Sequence, residues 1–332
     1  MNPNNQKIGI LLFNMGGPAT LEDIRPFLYK LFNDKDMIRL PFFMKPFQSV
    51  FAYLVAKFRT PGTTEMYRQI GDGSPILGIT TDLAKKIQKE VNELGYQSIT
   101  TIAMRYTYPR VPDAVDILKK EKIQQLLLFT QYPHYDKATT GSSYNEFYKS
   151  IQGDPYFKDM NITQIDDWGD QDEYIDWWVN GIRNLIKKKQ LSNVQLIFTV
   201  HGIPQNYVKK GSKYPSRVEA CVQEIYERLE DIQDKFTHHL SYQSKAGPLP
   251  WTQPYTDDLL EELAAEGHHK VVMVPLGFVS NHVETLYEID ILYKDLADSL
   301  GINEYYRVEV PDANDMYAKD MAKMLIRFIG GN

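Results

Sequence analysis

The chain has 332 residues, of which 43% are apolar and 12% aromatic, enough apolar material for about two domains with separate cores. The formal net charge of −6, without a basic stripe interleaved with aromatic residues, argues against a nucleic-acid surface. Cys221 is the single cysteine, which excludes an internal disulfide and an iron–sulfur cluster held by several cysteines of one chain. We therefore expect a reducing compartment.

Strand and helix patterns alternate along the chain, as doubly wound parallel sheets require. In the first half the sequence predicts a strand at 8–13, a helix at 21–32, a long helix at 75–94, and strands at 98–104 and 125–130. The second half repeats this order, with a strand at 194–200, a helix at 216–229, a strand at 236–242, a helix at 256–266, a strand at 271–274 and a helix from about residue 283. The prediction is an α/β protein of two similar Rossmann-like domains, each a parallel sheet flanked by helices.

The polar segment at residues 170–178 precedes a helix that runs to Lys189, and we place the domain boundary there. The first domain is predicted to be residues 1–172, joined by a C-terminal helix within 312–332. The second domain is predicted to be residues 173–311.

Two segments, the start of the chain and its most apolar stretch, indicate where in the cell the protein is expected. Residues 1–7 lack the charged start and apolar centre of a secretion signal, so we expect a cytoplasmic protein. Lys45, Pro46 and Gln48 interrupt the apolar stretch at residues 40–58, which makes it a poor membrane-spanning helix. Three roles stay open for it: a helix in the membrane interface, the lip of an apolar pocket, or an ordinary amphipathic helix on the core.

Two segments each contain a histidine just after a short, apolar predicted strand. His201 follows the first strand, and His282 follows the second together with Glu284 and Glu288. Ligands of open parallel sheets bind at the carboxyl ends of the strands, so these side chains are expected to share one cleft. Imidazole and carboxylate groups combine proton acceptors with weak ligands for a hard or borderline metal.

The second segment also has the pattern of a capping box. In that alternative Asn281 is the cap, Glu284 reaches back to it, and His282 faces solvent. Glu284 and Glu288 lie on one face of an α-helix, whereas His282 joins them only if the start of the helix is irregular. We therefore expect a locally widened helix here.

Several motifs occur in a fixed order along the chain. They are Leu-Phe-Asn-Met-Gly-Gly-Pro at 12–18, Arg-Thr-Pro at 59–61, Tyr-Arg-Gln-Ile-Gly-Asp-Gly-Ser-Pro at 67–75, Met-Arg-Tyr at 104–106, Thr-Gln-Tyr-Pro at 130–133 followed by Thr-Thr-Gly-Ser-Ser, His-Gly-Ile-Pro at 201–204, Tyr-Gln-Ser-Lys-Ala-Gly-Pro-Leu-Pro-Trp at 242–251, and the block 278–290. In this order they resemble the motifs of the ferrochelatases, enzymes that insert ferrous iron into a porphyrin in haem synthesis. The resemblance covers nearly the whole chain and implies a chelatase-like fold.

The resemblance also implies residue roles. His201 and Glu284 would be the catalytic pair, facing each other across the porphyrin, and the metal ligands would be these two with Glu288. It leaves open whether His201 accepts a proton or ligates the iron. The implied porphyrin-binding residues are Met15, Tyr67, Arg105, Tyr106, Trp251 and Phe278 around the ring, and Arg59 and Ser74 at the propionates, with His282 as a further pocket residue.

The chain departs from the family pattern at two positions. Asn281 stands where the family usually has Asp, and Leu292 where it has another acid, which puts a long acidic metal relay in doubt. The carboxyl-terminal cysteine cluster of animal relatives is absent, so no iron–sulfur cluster and no tightly bound cofactor are expected.

The resemblance finally implies the partners, a porphyrin and ferrous iron as substrates. Protoporphyrin is the predicted porphyrin because Gln-Tyr-Pro followed by Thr-Thr-Gly-Ser-Ser resembles the protoporphyrin-using branch. The alternatives are coproporphyrin and a non-catalytic porphyrin or haem carrier. We also expect peripheral contact of residues 40–58 with the inner face of the cell membrane, and no nucleic-acid partner.

Overall fold

The computed structural model describes residues 6–38, 40–247 and 249–329. The chain divides into two compact units. Unit 1 runs to Asp166 and resumes at Asp312, whereas unit 2 is Asp167–Pro311. The division falls a few residues before the predicted boundary at 172–173.

Unit 1 is built on a parallel sheet of four strands. The strands are β1 (Lys7–Asn14), β2 (Gln97–Met104), β3 (Gln125–Thr130) and β4 (Asn161–Ile165). They lie in the order β2-β1-β3-β4, and Ile10 of β1 pairs with Thr100 on one side and with Leu127 on the other. Residues Ile8 to Asn14 are all buried, as expected for a parallel strand whose two faces are both covered.

Helices cover this sheet. They are α1 (Ile24–Asn33), α2 (Gln48–Gln69), α3 (Ile76–Glu93), α4 (Val111–Lys120) and α5 (Ser142–Ser150), with 3-10 helices at Leu21–Asp23, Phe42–Phe47 and Pro155–Phe157 and a π-helix at Lys137–Gly141. Leu11, Phe13 and Leu128 belong to the buried core between sheet and helices. The ring of Phe13 meets that of Tyr144 edge-on, with centroids 5.6 Å apart.

Unit 2 repeats the architecture. Its strands are β5 (Val194–His201), β6 (Phe236–Gln243), β7 (Lys270–Val274) and β8 (Glu304–Arg307), all parallel, in the order β6-β5-β7-β8. Its helices are α6 (Asp172–Lys189), α7 (Gln205–Lys209), α8 (Tyr214–Arg228), α9 (Thr256–Ala265) and α10 (Tyr293–Ser299), with a 3-10 helix at Glu230–Lys235 and a π-helix at Glu284–Leu292. The last helix, α11 (Asp315–Ile329), belongs to unit 1 and packs on α3.

The two sheets share one strand order, which confirms the prediction of two similar Rossmann-like domains. In each unit the first strand is central, with the second strand on one side and the third on the other. The strand order therefore reverses next to β1 and next to β5. This is the position where open α/β sheets bind ligands, beyond the carboxyl ends of the strands. None of the helices that the structure describes is long and apolar enough to cross a membrane.

Candidate active site

His201 and Glu284 meet at the carboxyl end of the central strand of unit 2. His201 is the last residue of β5, and Glu284 is the first residue of the π-helix that follows β7. The His201 Nδ1 lies 3.0 Å from the Glu284 Oε2. The His201 side chain is 42% exposed and the Glu284 side chain only 13%, so the imidazole is the member of the pair that faces outward.

The partners of the two histidines fix where their ring protons lie. A carboxylate only accepts hydrogen bonds, so the Nδ1–H of His201 donates to Glu284, and the neutral ring has its lone pair on Nε2. The buried His282 donates its Nδ1–H to the carbonyl oxygen of Ser280, 2.9 Å away. Its Nε2 lies 4.0 Å from the Glu284 Oε2. Glu284 therefore lies beside two imidazoles.

Glu288 lies one turn further along, in a different environment. Its Oε2 accepts hydrogen bonds from the Ser244 hydroxyl and from the Gln243 Nε2, the latter at 2.9 Å. The same Gln243 Nε2 donates to the carbonyl oxygen of Glu284, also at 2.9 Å, while the Gln243 Oε1 accepts from Thr199. The Gln243 side chain, at the carboxyl end of β6, is therefore hydrogen-bonded to both glutamates.

The pKa values of the two carboxyl groups are driven apart. For Glu284, burial acts to raise the pKa, but the charge and hydrogen bond of His201, with the charge of His282, lower it to about 2. For Glu288, burial and then the nearby Glu284 charge raise the pKa to about 7, against hydrogen bonds from Ser244 and Gln243. At neutral pH Glu284 is therefore ionised, whereas Glu288 is close to half protonated.

The helix that carries these acids is wide, as predicted. It is a π-helix over Glu284–Leu292, and the amide of Tyr293 donates to the carbonyl oxygen of Glu288, five residues earlier. The capping-box alternative is wrong for Glu284, because its carboxylate is turned to His201. The Oδ1 of Asn281 instead accepts from the Thr285 hydroxyl at 3.1 Å.

Two predicted aromatic residues lie beside the histidines. The Trp251 ring stands edge-on to His201, with centroids 6.1 Å apart, and its Nε1–H donates to the carbonyl oxygen of Ala246. The Phe278 ring lies 5.0 Å from the His282 ring. The unit 2 residues predicted for the site therefore form one cluster.

In unit 1 the structure brings Met15, Ser74, Arg105 and Tyr106 to the loops beyond β1 and β2. The amide of Tyr106 donates to the carbonyl oxygen of Met15, and Ser74 donates its amide to that of Pro18. Gly17 allows this close approach, because a Cβ there would stand 2.6 Å from the Ser74 side chain. The predicted Tyr67 is buried on α2, whereas Arg59 of α2 is exposed, with its guanidinium 5.6 Å from the centre of the Phe32 ring.

Arg105 and Tyr106 are anchored by an acid that the sequence did not predict. The Arg105 guanidinium lies 2.9 Å from Oδ2 of the buried Asp34 and 2.9 Å from Oε2 of Glu146. The Tyr106 hydroxyl and the Ser142 hydroxyl both donate to the same Asp34 oxygen, at 2.8 and 2.6 Å. Burial acts to raise the pKa of Asp34, but the Ser142 hydrogen bond and the Arg105 charge lower it overall.

Comparison with known proteins identifies the family. A family model described as Ferrochelatase matches residues 7–328. The chain belongs to the ferrochelatase family. The ferrochelatase of Rippkaea orientalis (strain PCC 8801 / RF-1) is 36% identical over 324 residues, which are 97% of this chain and 82% of the relative. That of Trichodesmium erythraeum (strain IMS101) is 38% identical over 323 residues, 96% of this chain and 82% of the relative.

Solved structures of chelatases have the same fold. SirB from Bacillus subtilis with Fe3+ has a TM-score of 0.52 at 12% identity, covering 98% of this chain and 96% of its own. The sirohydrochlorin chelatase SirB from Bacillus subtilis subspecies spizizenii, in complex with cobalt, has a TM-score of 0.54 at 8% identity with the same coverage. At such low identity these structures show the fold alone, and they confirm the predicted chelatase-like architecture.

Membership of the ferrochelatase family confirms the predicted enzyme class and the place in haem and porphyrin biosynthesis. A porphyrin and iron are the substrates of this class. Within residues 6–38, 40–247 and 249–329, no group of three or more His, Cys, Asp or Glu side chains is placed to hold a metal ion. The assignment of His201, Glu284 and Glu288 as ligands of the substrate iron stays a prediction.

Sequence reasoning missed several residues that support the site. Gln243 and Ser244 lie within a motif that carries the family resemblance, and their position at the end of a strand could have indicated a role. Tyr214 donates its hydroxyl hydrogen to the carbonyl oxygen of His201 at 3.0 Å, and Arg307 contacts Asn281 and the π-helix. No sequence signal marked these two, because their contacts join segments that are distant in the chain.

Proposed function

We propose that this enzyme inserts Fe(II) into protoporphyrin IX to form haem with release of two protons, and that His201 and Glu284 are its catalytic residues. One observation carries the proposal: the 3.0 Å contact between the His201 Nδ1 and the Glu284 Oε2 at the edge of the sheet where ligands bind. An exposed base oriented by an ionised acid is the arrangement that a proton-accepting step needs.

The chemistry of metallation explains this requirement. A planar porphyrin keeps two N–H protons and hides its nitrogen lone pairs, so the ring must be distorted and a base must accept protons as the metal enters. The Nε2 of His201 can accept a proton, and Glu284 stabilises the imidazolium that results. Because Glu288 has a pKa of about 7, it can take a proton onward at neutral pH.

In the proposed reaction iron is a substrate, so the protein must release it to the porphyrin. Imidazole and carboxylate bind Fe(II) more weakly than a set of thiolates would, which suits a transient site. We propose that Glu288 joins His201 and Glu284 in meeting the incoming ion. We expect no tightly bound cofactor and no iron–sulfur cluster.

Porphyrin binding would supply the energy that offsets the distortion of the ring. The residues proposed to contact the ring are Met15, Tyr67 and Tyr106 of unit 1 and Trp251 and Phe278 of unit 2, where His282 lies beside Phe278. Arg59, exposed on α2, is proposed to pair with a propionate, and Ser74 with the other. Arg105 is held by Asp34 and Glu146, so its proposed part in the pocket is to fix the loop that carries Tyr106.

We also propose peripheral membrane contact through an apolar patch, which comprises the 3-10 helix Phe42–Phe47 and the first half of α2. Phe42 is 85% exposed, Phe43 73% and Phe58 76%, whereas the buried residues of α2 include Ala52 and Ala56. These exposed apolar side chains support membrane contact over the alternative of an ordinary core helix. With Lys45 beside Phe42, this patch suits the inner face of a cell membrane, and we propose a cytoplasmic enzyme.

The reaction is tested by giving the purified protein protoporphyrin or coproporphyrin with Fe(II) or Zn(II) and following absorbance. Metallation of protoporphyrin at the higher kcat/KM is expected. Preference for coproporphyrin would replace the substrate and keep the chemistry. Binding of both porphyrins without turnover would indicate a carrier and refute the proposed reaction.

A further inference from the structure

The π-helix that carries Glu284 and Glu288 is supported from outside by β8. Tyr305 and Arg307 are two residues apart, so they lie on one face of this edge strand. The Tyr305 hydroxyl donates to the carbonyl oxygen of Ile289 over 2.7 Å. The Nε of Arg307 lies 2.7 Å from the Oδ1 of Asp290. Both contacts fall in the second half of the π-helix.

Arg307 also reaches the turn that precedes the π-helix. Its Nη1 donates to the Oδ1 of Asn281 over 3.2 Å, and only 11% of its side chain is exposed. One guanidinium therefore contacts residues on both sides of Glu284 in the sequence. Only arginine offers several donors in a rigid planar fork, and a lysine would reach one of the two acceptors at a time.

These contacts matter because π-helices are rare and mostly limited to a single turn. The one at Glu284–Leu292 is longer, and donors from neighbouring elements contact it at several points. Gln243 supplies such a donor at the carbonyl oxygen of Glu284, on the side of β6. Tyr305 and Arg307 supply the others, on the side of β8.

We propose that Arg307 and Tyr305 are positioning residues, which hold the turn and the π-helix in the path that places Glu284 against His201. The proposal rests on the proposed function of the His201–Glu284 pair. Arg307 acts through Asn281 and Asp290 and touches none of the reacting groups. Asn281 serves as a neutral acceptor for Arg307.

The test measures Zn(II) insertion into protoporphyrin with Arg307→Gln, Arg307→Lys and Tyr305→Phe. Arg307→Gln is expected to lower kcat by about tenfold or more, because small misplacements of catalytic groups cost up to about a hundredfold. The protoporphyrin KM, and the Kd from porphyrin fluorescence, should change by less than about twofold. Arg307→Lys should recover part of the loss, and Tyr305→Phe should show a smaller one.

Lys270→Gln is the matched control, because it removes the 3.0 Å ion pair between Lys270 of β7 and Glu304, which lies on β8 with Tyr305 and Arg307. A wild-type kcat in folded Arg307→Gln, or an equal loss of kcat in the control, would overturn the proposal. A rise of the porphyrin Kd that parallels the fall of kcat in Arg307→Gln would also overturn the proposal. If Arg307→Gln does not fold, wild-type kcat in both other variants overturns it. Failure of the wild-type protein to metallate protoporphyrin would refute the proposed function instead.

Discussion

Replacing Glu288 by glutamine should flatten the dependence of stability on pH. An ordinary glutamate ionises near pH 4.5, whereas Glu288 in the folded chain has a pKa of about 7. Between these values the folded state holds a proton that the unfolded state has lost. The wild-type protein therefore loses stability as the pH rises through this range, and Glu288→Gln does not.

The magnitude follows from the two pKa values. Each pH unit between the two pKa values is worth about 1.4 kcal/mol, and the slope flattens above pH 7, so the penalty from Glu288 grows by about 2 to 3 kcal/mol between pH 5 and pH 8. Glu284 does not titrate in this range. Its pKa of about 2 gives stability that is present above pH 4.5 and lost only as the pH falls toward 2. The variant should gain about 2 to 3 kcal/mol on the wild type between pH 5 and pH 8.

Urea unfolding followed by tryptophan fluorescence measures this difference in the stability of unit 2, which contains Glu288. The chain has four tryptophans, and all of them lie in unit 2 with Glu288. The exposed Glu261 of α9 provides the control, since Glu261→Gln should keep the wild-type pH dependence. If Glu288→Gln shows the same slope as the wild type between pH 5 and pH 8, the assigned environment of Glu288 is wrong.

The other predictions concern the catalytic pair and the apolar patch. His201→Ala should abolish metallation and largely keep porphyrin binding, with the exposed His269→Ala as control; near-normal turnover would disprove the role of His201. Glu284→Gln should strongly lower turnover, because it removes the charge that orients His201; turnover close to that of the wild type would disprove the role of Glu284. Phe42→Ser with Phe47→Ser should weaken the modest co-sedimentation expected with lipid vesicles, and equal sedimentation of this variant would assign the stretch to a pocket wall.

The fold was predictable where apolar patterns are continuous. β1, β3 and β5 are runs of buried residues, and their ends agree with the predicted strands to within a few residues. β4 and β8 were missed because each is a short strand at the edge of its sheet, and no residue of β8 is fully buried. Such strands take their conformation from pairing with a neighbour rather than from their own sequence.

The site was predictable to the extent that it is local. His201 follows its strand directly, and the spacing of His282, Glu284 and Glu288 pointed to a widened helix, which the structure contains. The orientation of Glu284 toward His201, rather than back to Asn281, depends on the juxtaposition of two distant segments. The Asp34–Arg105 pair was missed for the same reason, since a buried ion pair leaves no periodic signal in the sequence.

The opposed pKa values of Glu284 and Glu288 allow the two carboxyl groups to have different roles in the proposed mechanism. Two carboxyl groups whose environments separate their pKa values can act as a fixed charge and as a proton carrier at one pH. Beside two imidazoles Glu284 stays ionised and orients His201, whereas burial near that same charge keeps Glu288 able to hold a proton. Neither value arises from one residue alone. The path of the π-helix, set by Gln243 on one side and Arg307 on the other, is therefore as much a part of the proposed chemistry as the acids.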